Sequence, residues 1–167
     1  MVQLPTVSEA DTRDALVQTP LGDYELVDFG NGRKLERWGE YLVESLDRQA
    51  VGEPDEQHWS ADWIYVADLG VQGHWEPTRS GLPREWTVTL AGQAVLCRLD
   101  GHGRVAVPGR EFPCADWVRQ RIEGCYDIDD IRVLSLFAGS GYVTAQAMQA
   151  GASVVHVDAS AALLDQA

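Results

Sequence analysis

An apolar run, Val133-Leu134-Ser135-Leu136-Phe137, breaks into Ala138-Gly139-Ser140-Gly141, and one helix-length later Val154-Val155-His156-Val157 ends in Asp158. Glycines at such a turn let the backbone approach a ligand with no Cβ in the way, and a helix that starts there offers its first amide groups to ligand oxygens. A carboxylate at the end of the second strand accepts both hydroxyls of a ribose. Phe137, Ala138, Gly139, Ser140, Gly141 and Asp158 are therefore the candidate binding residues, for a nucleotide-type ligand. A dinucleotide fingerprint wants a small residue where Thr144 stands and glycine where Phe137 stands. Both departures disfavour an NAD-dependent oxidoreductase.

Those residues need a parallel sheet to hold them. A continuous apolar run suits a central strand buried on both faces, here up to Phe137. Gly151 closes a helix from Tyr142 to Ala150, Ser153 to Val157 returns as a second strand in a right-handed βαβ unit, and Ser160 caps a last helix. Residues 127–167 thus read as the opening of a Rossmann-like α/β domain, cut short at Ala167. Upstream, 113–126 is a connecting helix with Trp117, Val118, Arg121 and Ile122 on one face and Gly124 at its end, and the acidic run Asp127 to Asp130 is a solvated connector. Residues 21–112 read as a β-rich domain. Tyr24 to Phe29, Lys34 to Trp38 and Tyr41 to Ser45 form a meander around Asn31-Gly32. Further strands are Trp63 to Val66, Gly73 to Trp75, Trp86 to Leu90, Gln93 to Leu99 and Arg104 to Val107. Residues 1–20 are a flexible lead-in. The fold class is α+β, with the domain boundary near 110–126.

Composition narrows the function. The 167 residues are 45% hydrophobic and 23% charged, as in a globular protein. Thirteen basic against 26 acidic residues give a formal charge of −13, which repels a phosphate backbone, so RNA contact needs a local patch. Arg33, Lys34 and Arg37 beside Trp38 are the candidate. Trp59, Trp63 and Trp75 are expected in the core rather than stacked on bases. Cys97, Cys114 and Cys125 form no Cys-x-x-Cys pair and have no histidines at ligand spacing, so reduced thiols and no metal are expected. No leader and no membrane-length apolar run is seen, which leads to a cytoplasmic reading with no membrane partner. Composition leaves the oligomeric state open.

Leu136-Phe137-Ala138-Gly139-Ser140-Gly141 resembles the first motif of class I S-adenosylmethionine-dependent methyltransferases. The order of Asp28 to Gly39, Gly73-His74-Trp75, Trp86, Val107-Pro108, Asp116-Trp117-Val118 and Val155 to Ser160 is similar to bacterial methyltransferases grouped with the ribosomal RNA large-subunit cytosine carbon-5 methyltransferases. The resemblance covers residues 22–167 and implies S-adenosylmethionine as cofactor and RNA as partner. It puts Phe137, Ala138, Gly139 and Gly141 along the methionine and ribose side, and Asp158 on the ribose. Ser135 stands where the family often carries an acid or Asn. Catalytic residues are expected beyond Ala167. Phe112-Pro113-Cys114 looks like a Pro-Cys nucleophile motif, but that motif follows the cofactor loop in such enzymes, so Cys114 is assigned no role. The alternative is a noncatalytic β-rich module for RNA or protein, with a vestigial cofactor half-site.

Overall fold

The structure is a computed structural model and describes residues 22–68, 72–105, 111–125 and 131–164. The expected lead-in, the Asp127–Asp130 connector and Val107 lie outside the described residues. Strands β1 (Tyr24–Gly30), β2 (Arg33–Trp38) and β3 (Tyr41–Leu46) form the expected antiparallel meander. Asn31 and Gly32 both take positive φ, 52° and 77°, the pairing whose twist matches a two-residue hairpin. β4 (Trp63–Ala67) joins β3 in parallel, and β5 (Gly73–Pro77) closes the sheet antiparallel, in the order β1-β2-β3-β4-β5. β6 (Glu85–Leu90) and β7 (Gln93–Arg98) make a separate hairpin. The hairpin is tied to the sheet by Trp86 Nε1, which donates to the Trp38 carbonyl at 3.0 Å.

The expected strand from Arg104 to Val107 is not a strand over its described part. The amides of Arg98 and Asp100 donate to the carbonyls of Val105 and Arg104. The Asp100 carboxylate accepts the amides of His102 and Arg104, both at 2.8 Å. The chain is curled into a side-chain-stapled turn instead of running on.

The second region holds α1 (Glu111–Glu123), β8 (Arg132–Leu136), α2 (Tyr142–Gln149), β9 (Ser153–Val157) and α3 (Ala161–Leu164). β8 and β9 pair in parallel, from Arg132 with Ser153 to Leu136 with Val157. α1 buries Phe112, Ala115 and Ile122, a stripe at helical spacing. The expected face is corrected at Trp117, which is 60% exposed and stacks under the Arg121 guanidinium. Phe112 sets the buried side because it meets aromatic rings from both regions.

One apolar core runs from Trp38, Val43, Trp63, Tyr65 and Trp75 through Val88, Leu90 and Cys97 to Phe112, Ala115 and Tyr142. Trp63 and Trp75 are core residues, as expected. Trp59 is half-buried and donates its indole N–H to Asp28 at 2.7 Å. A smaller core joins Ile122, Ala147 and Ala152 to Val133 and Val154. The expectation that β8 is buried on both faces holds on one side alone. Leu134 is 61% exposed and Val155 60%, because α1 and α2 cover the opposite face. Among the described residues no helix is long and apolar enough to cross a membrane, and no cluster of His, Cys, Asp and Glu is arranged to hold a metal.

Candidate ligand site at the glycine loop

β8 ends at Leu136, one residue earlier than its apolar run suggests, and the chain turns at Phe137 with φ +55°. A bulky residue in that region is a true outlier. Its side chain is 90% exposed. The Ala138 amide donates to the Val157 carbonyl at 3.1 Å and the Gly141 amide to the Ala138 carbonyl at 3.0 Å, which pins the loop across the ends of both strands. Gly139 has φ +56°, and a Cβ there would meet nothing nearer than 3.9 Å. The requirement for glycine is thus conformational, since a Cβ there would make only ordinary contacts, with Glu111 Oε1 at 3.9 Å and the Phe137 carbonyl at 4.0 Å. Gly141 caps α2 with φ 79°, and among the described residues no side-chain cap bonds the start of that helix. Its first amides stand ready for an external acceptor. The Ser140 hydroxyl oxygen is buried and has no hydrogen-bond partner among the described residues.

Asp158 leaves β9 directly opposite. Its Oδ2 accepts the Gly139 amide at 2.9 Å and its Oδ1 the Ser160 amide at 2.8 Å. The Ser160 and Gly139 amides, and to a lesser degree the charge of His156, hold its carboxyl below the usual carboxylate range. Each carboxylate oxygen keeps a further lone pair for a ligand hydroxyl. Phe137 to Gly141 and Asp158 are thereby gathered at one end of the β8–β9 pair, the carboxyl end of both strands. His156 meets the Thr144 hydroxyl through Nδ1 at 2.9 Å, and its buried Nε2 has no partner among the described residues.

A second carboxylate reaches the loop. Glu111 Oε1 lies 3.9 Å from where a Cβ on Gly139 would sit. Nothing local in the sequence joins these two residues; they meet because Phe112 and Tyr142 pack edge to face, with centroids 5.5 Å apart, at the starts of α1 and α2. At the candidate RNA patch the basic side chains are ion-paired. Trp38 is buried, and Arg33, Lys34 and Arg37 are paired with Glu44, Glu36 and Glu25. A cavity of about 440 Å³ lined by Ala91, Arg119, Glu123, Gln146 and Gln149 lies at the far ends of α1 and α2, away from the glycine loop. Cys114 is exposed on α1.

No protein-family model matches the chain, and no curated protein matches it. Solved structures do. A SAM-dependent methyltransferase from Agrobacterium tumefaciens superposes with TM-score 0.78 at 32% identity, over 87% of this chain and 46% of that one. A protein from Streptococcus mutans described as a SAM-dependent methyltransferase gives TM-score 0.63 at 13% identity, over 94% of this chain and 44% of its own. SMU.776, described as a methyltransferase complexed with SAH, gives 0.58 at 14% identity, over 94% and 43%. The last two likenesses show the fold. The chain therefore shares its mixed α/β fold, with a β-rich N-terminal region, with SAM-dependent methyltransferases, and spans less than half the length of each.

Proposed function

We propose that this chain forms the S-adenosylmethionine-binding part of a class I methyltransferase, the glycine loop being the start of a Rossmann-like domain. The observation that carries the reading is the glycine loop bonded through the Gly139 amide to Asp158 beside an uncapped helix start. The residues present fit the cofactor. Gly139 puts no Cβ into the loop, and among the described residues the start of α2 has no side-chain cap and the buried Ser140 hydroxyl lacks a partner. When bound, the cofactor's sulfonium supplies the methyl group. The chain's own residues bind and orient: Asp158, kept ionised at neutral pH, accepts the ribose hydroxyls, and the loop's positive-φ turns hold its backbone against the ligand. The 32% identity to the Agrobacterium enzyme supports this reading.

The acceptor we infer is RNA, with ribosomal RNA cytosine as its finer form, a reading supported by the motif order of the sequence. The Arg33, Lys34 and Arg37 hairpin, already neutralised by carboxylates, does not supply the contact. A cytosine carbon needs covalent activation, and no residue described here is assigned to that step. The three free cysteines support a reducing, cytoplasmic setting.

Calorimetric titration of S-adenosylhomocysteine tests the reading. The chain is expected to bind it, and Asp158→Ala to weaken binding by about tenfold or more, the loss of charge-assisted hydrogen bonds. Equal binding by both proteins, or binding by neither, would overturn it.

A further inference from the structure

We propose that Glu111 is the carboxylate that receives the α-ammonium of the cofactor's methionine moiety, an inference that rests on the cofactor reading above. The ligand presents two groups that call for carboxylates, a ribose diol in its middle and an ammonium at its amino-acid end. Asp158 meets the loop from β9 through the Gly139 amide. Glu111 meets the same glycine from α1, its Oε1 3.9 Å from the position of a Cβ that Gly139 lacks. Gly139 thus has one carboxylate at its amide and a second beside the position of its missing Cβ.

The placement of Glu111 is fixed by packing. Phe112, the next residue, is 3% exposed and locked between Tyr24 and Tyr142, with centroids 4.8 Å and 5.5 Å away. Tyr142 is the first residue of α2, so the two helices begin together. Ile122 near the end of α1 packs with Ala147 near the end of α2, so they run parallel and both starts face the carboxyl end of β8 and β9. A carboxylate in the first turn of α1 also favours that helix's positive end. That role affects stability and is blind to which ligand is bound.

Two ligands separate the roles: S-adenosylhomocysteine, which carries the ammonium, and methylthioadenosine, which keeps the ribose and adenine but has no amino-acid group. Calorimetric titration of both into the full chain and into Glu111→Gln is expected to show a tenfold to hundredfold loss for S-adenosylhomocysteine, roughly the worth of one charged hydrogen bond. Affinity for methylthioadenosine is expected to stay the same. Asp158→Ala is expected to weaken both ligands. Equal loss of both ligands in Glu111→Gln would show a structural role and overturn the proposal. So would unchanged affinity for S-adenosylhomocysteine while Asp158→Ala loses it, which leaves the cofactor reading standing. Failure of the unsubstituted chain to bind S-adenosylhomocysteine would overturn that reading and this inference with it.

Discussion

Phe137 carries backbone strain at the mouth of the glycine loop, with φ +55° and an exposed ring. Strain of this kind costs about 1–3 kcal/mol and persists where surrounding contacts impose it. Here those contacts are the bonds that pin Ala138 and Gly139 to β9. The positive-φ turns at Gly139 and Gly141 and the carboxylate after β9 were legible in the sequence because residue type itself encodes conformational freedom in one case and charge in the other. The strained turn at Phe137 was not, since an apolar residue after an apolar run reads as more strand. The cysteines divide in the same way. Cys97 is buried, and burial pushes its thiol up to about 12. Cys114 and Cys125 are exposed. Thiol titration of the native protein at neutral pH is therefore expected to modify Cys114 and Cys125 rapidly and Cys97 only after denaturant is added. Rapid reaction of all three in the native state would contradict the burial of Cys97.

Elements were legible where a local rule decides them. Asn31-Gly32 marks a hairpin by its backbone demands alone, and β9 falls where its apolar run predicts. The parallel pairing of β3 with β4 was invisible, because it depends on the path of the chain between Leu46 and Trp63 rather than on either strand. The face of α1 was misjudged at Trp117 for a related reason: several faces of that helix carry apolar residues, and the partner, α2, lies in a different part of the sequence. Phe112 is the contact that settles it, touching Tyr24, Trp38 and Tyr142. Phe112→Ala removes that wedge and is expected to destabilise the protein by about 3–5 kcal/mol, the usual range for a buried aromatic. Chemical denaturation read by tryptophan fluorescence measures the shift. A change under 1 kcal/mol, roughly the level of a surface substitution, would show that α1 is not held by this ring.

Across the whole molecule the two sheets differ in how well they are covered. The five-stranded sheet buries Val43, Trp63, Tyr65 and Trp75, whereas the β8–β9 pair leaves Leu134, Leu136, Val155 and Val157 open on one face. Parallel strands are stable when both faces are covered, so this pair is expected to be the weakest part of the chain. Hydrogen exchange followed by mass spectrometry is expected to show the amides of β8 and β9 exchanging well before those of β2 and β3. Similar protection in both would show that one covered face suffices.

The aromatic contacts Trp38–Tyr24, Tyr24–Phe112 and Phe112–Tyr142, with centroids 4.5, 4.8 and 5.5 Å apart, cross from the first sheet to the start of α2. Seen from genetics, this makes the chain hard to divide. A gene fragment ending before Glu111 would keep Trp38 and Tyr24 but lose the ring that covers them, and one starting after it would keep Phe112 and Tyr142 but lose the rings that bury Phe112. The change in composition along the chain suggests a place to cut, and the rings close it.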